Sequence, residues 1–154
     1  MAKPEEVPSK IDGVKIFALY NEVNEDDRGS LLEIARIDWV RPSSIAMAYV
    51  SRTNPGVTRG PHKHEKQTDW FYFMPGTKCQ IGLVDDRPKS LTRGAVQLIG
   101  IQEDDSYSVF VPPGVIHWYK NLSEHCTMTV INLPNKLYRG MHYKEEPDEV
   151  RYED

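Results

Sequence analysis

Short apolar runs alternate with turn-forming residues along most of the chain. The run 78–84 shows the pattern best, because Cys79, Ile81 and Leu83 would share one face of an extended strand. Clusters of Pro, Gly, Asn and Asp separate the runs, and no stretch longer than about ten residues has a helical period. The pattern predicts an all-β sandwich or barrel. Its strands are expected at 14–19, 30–37, 45–51, 69–74, 78–84, 95–101, 109–111, 116–119 and 126–133.

The two ends of the chain and one internal segment depart from this pattern. Residues 1–10 are polar and contain proline, which predicts a loose N-terminal arm, and 21–29 has the composition of a loop. Residues 143–154 form a highly charged tail, which predicts either a solvated end or a short helix. Since no repeat or linker divides the chain, we expect residues 1–154 to form a single domain.

Composition narrows the function classes. A chain of 154 residues with 39% hydrophobic and 10% aromatic residues can build a packed core, which excludes a disordered protein. The net charge of −4 argues against nucleic acid as a partner, since that requires a basic surface. No apolar run reaches the ~18 residues that a membrane span needs. Cys79 and Cys126 lie in apolar runs without metal-site spacing, so we expect two buried thiols and a cytoplasmic protein.

Candidate chemistry is concentrated in two stretches, 56–76 and 112–121. His62 and His64 are two residues apart, so on a strand their side chains share one face. A barrel that brings the stretches together would collect three imidazoles, a carboxylate and a guanidinium in its mouth, which indicates a functional site. These groups belong to His62, His64, His117, Asp69 and Arg59.

The spacing in both stretches resembles the two sequence motifs of the cupin superfamily. The pattern G-x5-H-x-H-x4-D-x6-G covers 56–76, with Asp69 where glutamate is usual. The pattern P-x-G-x2-H-x3-N covers 112–121. The resemblance implies a double-stranded β-helix, or jelly-roll cupin barrel.

A longer series of segments resembles the dTDP-4-dehydrorhamnose 3,5-epimerase family. In chain order they are DDRGSLLE (26–33), VTRGPH (57–62), Gln67, VDDRPKSLTRG (84–94) and PPGVIHWYKNLS (112–123). Members of this family are cupins that use no metal or other cofactor. The resemblance implies removal of a proton from a carbon beside the C4 ketone of a nucleotide-linked 4-keto-6-deoxy sugar, and its return to the opposite face.

The resemblance also implies roles for individual residues. His62 would be the catalytic base, since the neutral imidazole of histidine suits proton abstraction near pH 7. A carboxylate from near the C-terminus would support it, and Asp154 is the nearest match. The substrate-binding residues would be Arg59 and His117 for phosphate or enolate, and Arg28 and Glu33 for the nucleotide base.

Several positions depart from the family pattern. Val130 stands where the family has the tyrosine that acts as general acid. Tyr138 is therefore a candidate for the general acid or for the residue that stacks on the nucleotide base. Asp69 replaces a phosphate-binding lysine, and its charge would repel a diphosphate. The other departures are Leu31 for a base-stacking phenylalanine, and Met47 and Tyr49 for glutamine and asparagine.

Three functional hypotheses follow. The first is a cofactor-free epimerase of a nucleotide sugar, expected as a cytoplasmic homodimer without nucleic-acid or membrane partners. The second is a metal-binding cupin with isomerase or oxygenase chemistry, in which one divalent transition metal is held by His62, His64, Asp69 and His117. The third is a non-catalytic sugar-binding cupin.

Overall fold

Two antiparallel β-sheets face each other in the computed structural model, which describes residues 3–19, 24–41 and 44–152. Along the chain the strands are β1 (Glu5–Val7), β2 (Lys15–Ala18), β3 (Asn24–Asp26), β4 (Gly29–Leu31), β5 (Tyr49–Thr53), β6 (Thr58–Lys63), β7 (Asp69–Phe73), β8 (Cys79–Asp85), β9 (Val96–Ile101), β10 (Tyr107–Val111), β11 (Val115–Asn121), β12 (Met128–Asn132) and β13 (Val150–Arg151).

The strand order gives a jelly-roll arrangement. One sheet has the order β1-β2-β10-β7-β12-β5 and the other β13-β6-β11-β8-β9, while β3 and β4 form a separate hairpin. Within the described residues the helical structure is limited to a 3-10 turn at Met141–Tyr143. No described helix has the length and apolar character required to cross a membrane. The prediction of an all-β jelly-roll cupin is confirmed.

The main core lies between the two sheets. Cys79, Ile81 and Leu83 of β8 are all buried there, as their alternation predicts. Strand β7 is buried along its whole length because both of its faces are covered. Phe71 and Phe73 point into the main core, and Trp70 and Tyr72 join a second apolar cluster on the outer face of the six-stranded sheet.

The segment 32–40 covers that outer face. Leu32, Ile34 and Ala35 pack against the second cluster, which also contains Trp39 and Val40. The predicted strand at 30–37 is therefore wrong beyond Leu31, because these apolar residues pack on a sheet without joining one. The loop predicted at 21–29 is also wrong over Asn24–Asp26, which forms β3 and pairs with β4.

Both chain ends take part in the sheets. Glu5–Val7 pairs with β2, so the loose-arm prediction is wrong for these residues. Val150–Arg151 pairs with β6, so the charged tail is neither wholly solvated nor a helix there. The prediction of two buried thiols holds for Cys79 but is wrong for Cys126, which is exposed because β12 begins only at Met128.

Candidate active site

A cavity of about 620 Å³ opens between the two sheets, a size that suits a small-molecule ligand. Tyr49 and Ser51 of β5 line one wall. Arg59 and His62 of β6 line the facing wall. Tyr138, from the segment after β12, also borders the cavity, so four of the predicted site residues share it: Arg59, His62, His64 and Tyr138.

His62 is held against β11 by a close approach of the two backbones. Gly60 has φ +84°, and a Cβ on it would lie 2.6 Å from the carbonyl oxygen of His117, so glycine is required there. His62 pairs directly with His117 in the ladder, and their ring centroids lie 4.4 Å apart. His117 is buried behind His62 and does not line the cavity, so its predicted direct contact with substrate is not supported by this arrangement.

Asp69 joins the histidines into one network. It points inward from β7, and its Oδ2 lies 3.2 Å from Nε2 of His64 and 3.4 Å from Nε2 of His117. Its Oδ1 accepts hydrogen bonds from Nε2 of Gln67 (2.9 Å) and Nδ2 of Asn132 (2.8 Å). This geometry brings together three imidazoles and one carboxylate from two stretches that are distant in the sequence, and Asp69 and His117 are buried outside the cavity lining.

Two backbone carbonyls fix the orientation of the supporting rings. Nδ1 of His64 hydrogen-bonds the carbonyl oxygen of Asp148, and Nδ1 of His117 lies 3.0 Å from that of Val115. In both rings Nδ1 is therefore the donor, and Nε2 is directed at Asp69.

The network separates the charge states of its members. Burial opposes ionisation of Asp69, but His117 and His64 outweigh it and hold the pKa of the carboxyl well below its ordinary value. Burial likewise opposes protonation of His64, but Asp69 outweighs it and raises the pKa of that imidazole. For His62 burial dominates, assisted by His117 and His64, and lowers the pKa to about 3. Burial thus favours a neutral His62, whereas the pKa shifts of His64 and Asp69 both favour an ion pair between these two residues.

The C-terminal tail supplies a carboxylate that sequence reasoning missed. Oε1 of Glu149 lies 3.8 Å from Nδ1 of His62, and the Glu149 side chain is only 14% exposed. Asp154, the residue predicted for this role, lies outside the described residues. The alternation of Glu149, Val150 and Arg151 before an aromatic residue was the available signal, since it is typical of a short strand.

The same tail anchors the loop that carries His64. The Asp148 carboxylate accepts backbone N–H groups of Glu65, Lys66 and Gln67 at 3.2, 2.9 and 2.7 Å. This segment therefore positions Glu149 and the ring of His64 together.

Two predicted nucleotide contacts lie apart from the cavity. Arg28 pairs with Asp26 in the exposed β3–β4 hairpin, and its side chain is 90% exposed. Glu33 forms an ion pair with Nη1 of Arg36 at 3.0 Å. Neither residue lines the cavity of its own chain.

Comparisons with known proteins agree with this architecture. The family model described as dTDP-4-dehydrorhamnose 3,5-epimerase matches residues 8–138. The chain is 35% identical over 141 residues to the spore coat polysaccharide biosynthesis protein SpsL of Bacillus subtilis, covering 92% of this chain and 88% of SpsL. It is 36% identical over 135 residues to the probable low-salt glycan biosynthesis epimerase Agl13 of Haloferax volcanii, covering 84% and 81% of the two chains.

A solved structure has the same fold. It is dTDP-6-deoxy-D-glucose-3,5-epimerase RmlC from Legionella pneumophila in complex with dTDP-4-keto-L-rhamnose, with a TM-score of 0.77. Its sequence identity is 19%, with 96% of this chain and 76% of that chain covered. The family-model match over most of the chain and the two sequence relatives together establish that the chain belongs to the dTDP-4-dehydrorhamnose 3,5-epimerase family.

Proposed function

We propose that the protein is an epimerase of a nucleotide-linked 4-keto-6-deoxy sugar, with His62 as the base. The observation that carries this proposal is the imidazole of His62 on the wall of a ligand-sized cavity, with the Glu149 carboxylate 3.8 Å from its Nδ1. Family membership supports the reaction class and supports catalysis without a cofactor.

The reaction would use the cavity as follows. Neutral His62 takes the proton from a carbon beside the C4 ketone, and the electron pair forms an enolate. Burial keeps His62 neutral, but a pKa of about 3 also makes it a weak base. Glu149 would strengthen it by closing to hydrogen-bond distance when substrate binds, since catalytic hydrogen bonds are often long in ligand-free structures.

Arg59 is the proposed anion-binding group. Its Nε donates to Oγ1 of Thr53 (2.9 Å) and its Nη2 to the carbonyl oxygen of Arg52 (3.0 Å), which fixes the guanidinium beside the cavity. A fixed guanidinium suits a diphosphate or an enolate oxygen. The predicted repulsion from Asp69 is not an obstacle, because that carboxylate is 1% exposed and paired with His64.

A metal-binding cupin is the second candidate, favoured by the donor geometry. One donor atom from each of His62, His64, Asp69 and His117 lies within 4.8 Å of the others. Nε2 of His117 has no hydrogen-bond partner among the described residues. Its Nδ1 donates to the carbonyl oxygen of Val115, an arrangement that is typical of metal-ligating histidines. The set fits a divalent transition metal, which would supply Lewis-acid stabilisation of an enolate.

Elemental analysis of the purified protein separates the two candidates. The epimerase proposal expects turnover without a stoichiometric metal. About one divalent ion per chain, lost in His64→Ala together with activity, would instead establish the metal candidate.

A homodimer in the cytoplasm completes the proposal. Strand β5 is at the edge of the six-stranded sheet, with Val50 61% exposed, and such edges are normally covered. Since Arg28 does not line its own cavity, a role in nucleotide binding would require the partner's cavity. Mixing inactive Arg28→Ala and His62→Asn subunits would then restore activity. Free, unpaired cysteines fit a reducing compartment.

Turnover tests the proposed function directly. Purified protein is incubated with dTDP-4-keto-6-deoxyglucose, and the sugar protons are followed by NMR. We expect a new epimer at C3 or C5. Thermal stabilisation by the nucleotide sugar without turnover would favour the non-catalytic sugar-binding cupin, and the absence of both would remove the proposal.

A further inference from the structure

Inversion of a carbon centre requires a proton donor on the wall opposite the base. Val130, at the position where the family pattern has a tyrosine, has no proton to donate. A replacement donor must lie across the cavity from His62, and its proton must not be donated in a hydrogen bond to a neighbouring residue.

The register of β5 and β12 places one tyrosine beside Val130. Val130 pairs with Ser51, and Asn132 pairs with Tyr49. Directly paired residues on antiparallel strands share a face, so Tyr49 is the diagonal neighbour of Val130 on the inner face. It belongs to the six-stranded sheet, whereas His62 belongs to the facing sheet, and both line the same cavity.

The hydrogen bonds around Asn132 leave the proton of Tyr49 uncommitted. Oδ1 of Asn132 accepts the backbone N–H of Trp70 at 3.0 Å, which fixes the orientation of the amide. Nδ2 of Asn132 therefore donates to Oδ1 of Asp69 (2.8 Å) and to Oη of Tyr49 (2.9 Å). Since Oη of Tyr49 is the acceptor in that bond, its own proton remains available to a ligand.

Tyr119, a buried tyrosine that also lines the cavity, has its hydroxyl engaged by a neighbouring side chain. Its Oη lies 2.9 Å from Oγ of Ser51, which in turn lies 3.5 Å from the carbonyl oxygen of Val130. The Tyr119 hydroxyl is therefore held by Ser51, and its ring is fixed between Phe71 and Phe73.

We propose that Tyr49 is the general acid that returns the proton to the face opposite His62, an inference that rests on the proposed epimerase function. His62 takes a proton as the C–H bond breaks and the enolate forms. The Tyr49 O–H bond then breaks as a C–H bond forms on the other face and the ketone is restored. The His62 imidazolium releases its proton to solvent, and the Tyr49 phenolate takes one back, so the enzyme is regenerated. Burial raises the pKa of Tyr49 to about 12, which keeps the phenol protonated between turnovers.

The test measures exchange and inversion separately. Wild type, Tyr49→Phe and Tyr119→Phe are incubated with dTDP-4-keto-6-deoxyglucose in D₂O, and NMR reports both deuterium incorporation and the new epimer. We expect Tyr49→Phe to incorporate deuterium with retained configuration while inversion falls about 10²–10⁴-fold. Tyr143→Phe, whose side chain is exposed outside the cavity, is the matched control and should behave as wild type.

The outcomes distinguish this inference from the proposed function. Absence of exchange in wild type would refute the epimerase function itself. Inversion at the wild-type rate in Tyr49→Phe would refute the inference, and so would an equal loss of exchange and inversion at an unchanged melting temperature. Uncoupling in Tyr119→Phe instead would assign the acid to Tyr119.

Discussion

Replacing Asp69 by asparagine tests the charge arrangement of the site. Asparagine keeps an oxygen that accepts from Gln67 and Asn132, and its amide can donate to the neutral Nε2 of His64. The substitution therefore removes the negative charge, and with it the charge-assisted 3.2 Å pair with His64, while retaining the shape of the side chain. A hydrogen bond to a charged group contributes about 1.5–3 kcal/mol, so we expect the free energy of unfolding to fall by about that amount near pH 6.

The pH dependence carries the more specific prediction. Because the pKa of His64 is raised above 6.5 in the folded protein, its contribution is complete below pH 6.5 and is lost as the pH rises through the folded-state value. Without the carboxylate, burial lowers that pKa below 6.5, so the variant gains stability from His64 as the pH rises. As the pH rises, the difference in free energy of unfolding between wild type and Asp69→Asn shrinks by about 1.4 kcal/mol for each unit by which the His64 pKa differs between the two proteins.

Urea unfolding of chelator-treated protein between pH 5.5 and pH 9 measures this difference. Asp86→Asn is the matched control, since Asp86 pairs with Lys63 at the surface and is 43% exposed. Its profile should run parallel to wild type within about 1 kcal/mol. Parallel profiles for wild type and Asp69→Asn would refute the assignment of a charged His64–Asp69 pair.

Two further predictions concern the backbone that holds the site. Gly60→Ala should destabilise the protein by about 3 kcal/mol, because an added Cβ meets the His117 carbonyl and φ is positive. The control Gly56→Ala, also at positive φ but with open space around the added Cβ, should cost only about 1–2 kcal/mol in the same thermal melts. Equal losses of stability in the two variants would contradict the close approach of the backbones at Gly60. Asp148→Ala removes the acceptor of three backbone N–H groups, so hydrogen exchange at amides 65–67 should accelerate selectively. Unchanged protection of these amides would show that the C-terminal tail does not anchor the loop.

The sequence predicts strands well where one face alone is buried. Strand β8 alternates clearly and was placed almost to the residue. Residues 32–37 were misassigned to a strand because apolar residues that cover a sheet have the same composition as residues within one. No local pattern separates the two cases, since the difference is made by contacts to the distant strands β7 and β10.

The candidate site was predictable where its residues fall within the two stretches of recognisable spacing, 56–76 and 112–121. His62, His64 and Asp69 follow a recognisable spacing, but Glu149 was missed because the charges around it indicate a solvated tail. For Tyr49 the sequence shows only a departure from the family pattern and indicates no role. Its position opposite His62 depends on the pairing of β5 with β12, which the sequence does not specify.

The central claim is that the imidazole of His62 removes the substrate proton. Its most direct test compares deuterium incorporation from D₂O into C3 and C5 of dTDP-4-keto-6-deoxyglucose by wild type and His62→Asn, with a thermal shift to confirm that the variant still binds the nucleotide sugar. We expect wild type to exchange and His62→Asn to bind without exchange. Exchange by His62→Asn at the wild-type rate would contradict the account.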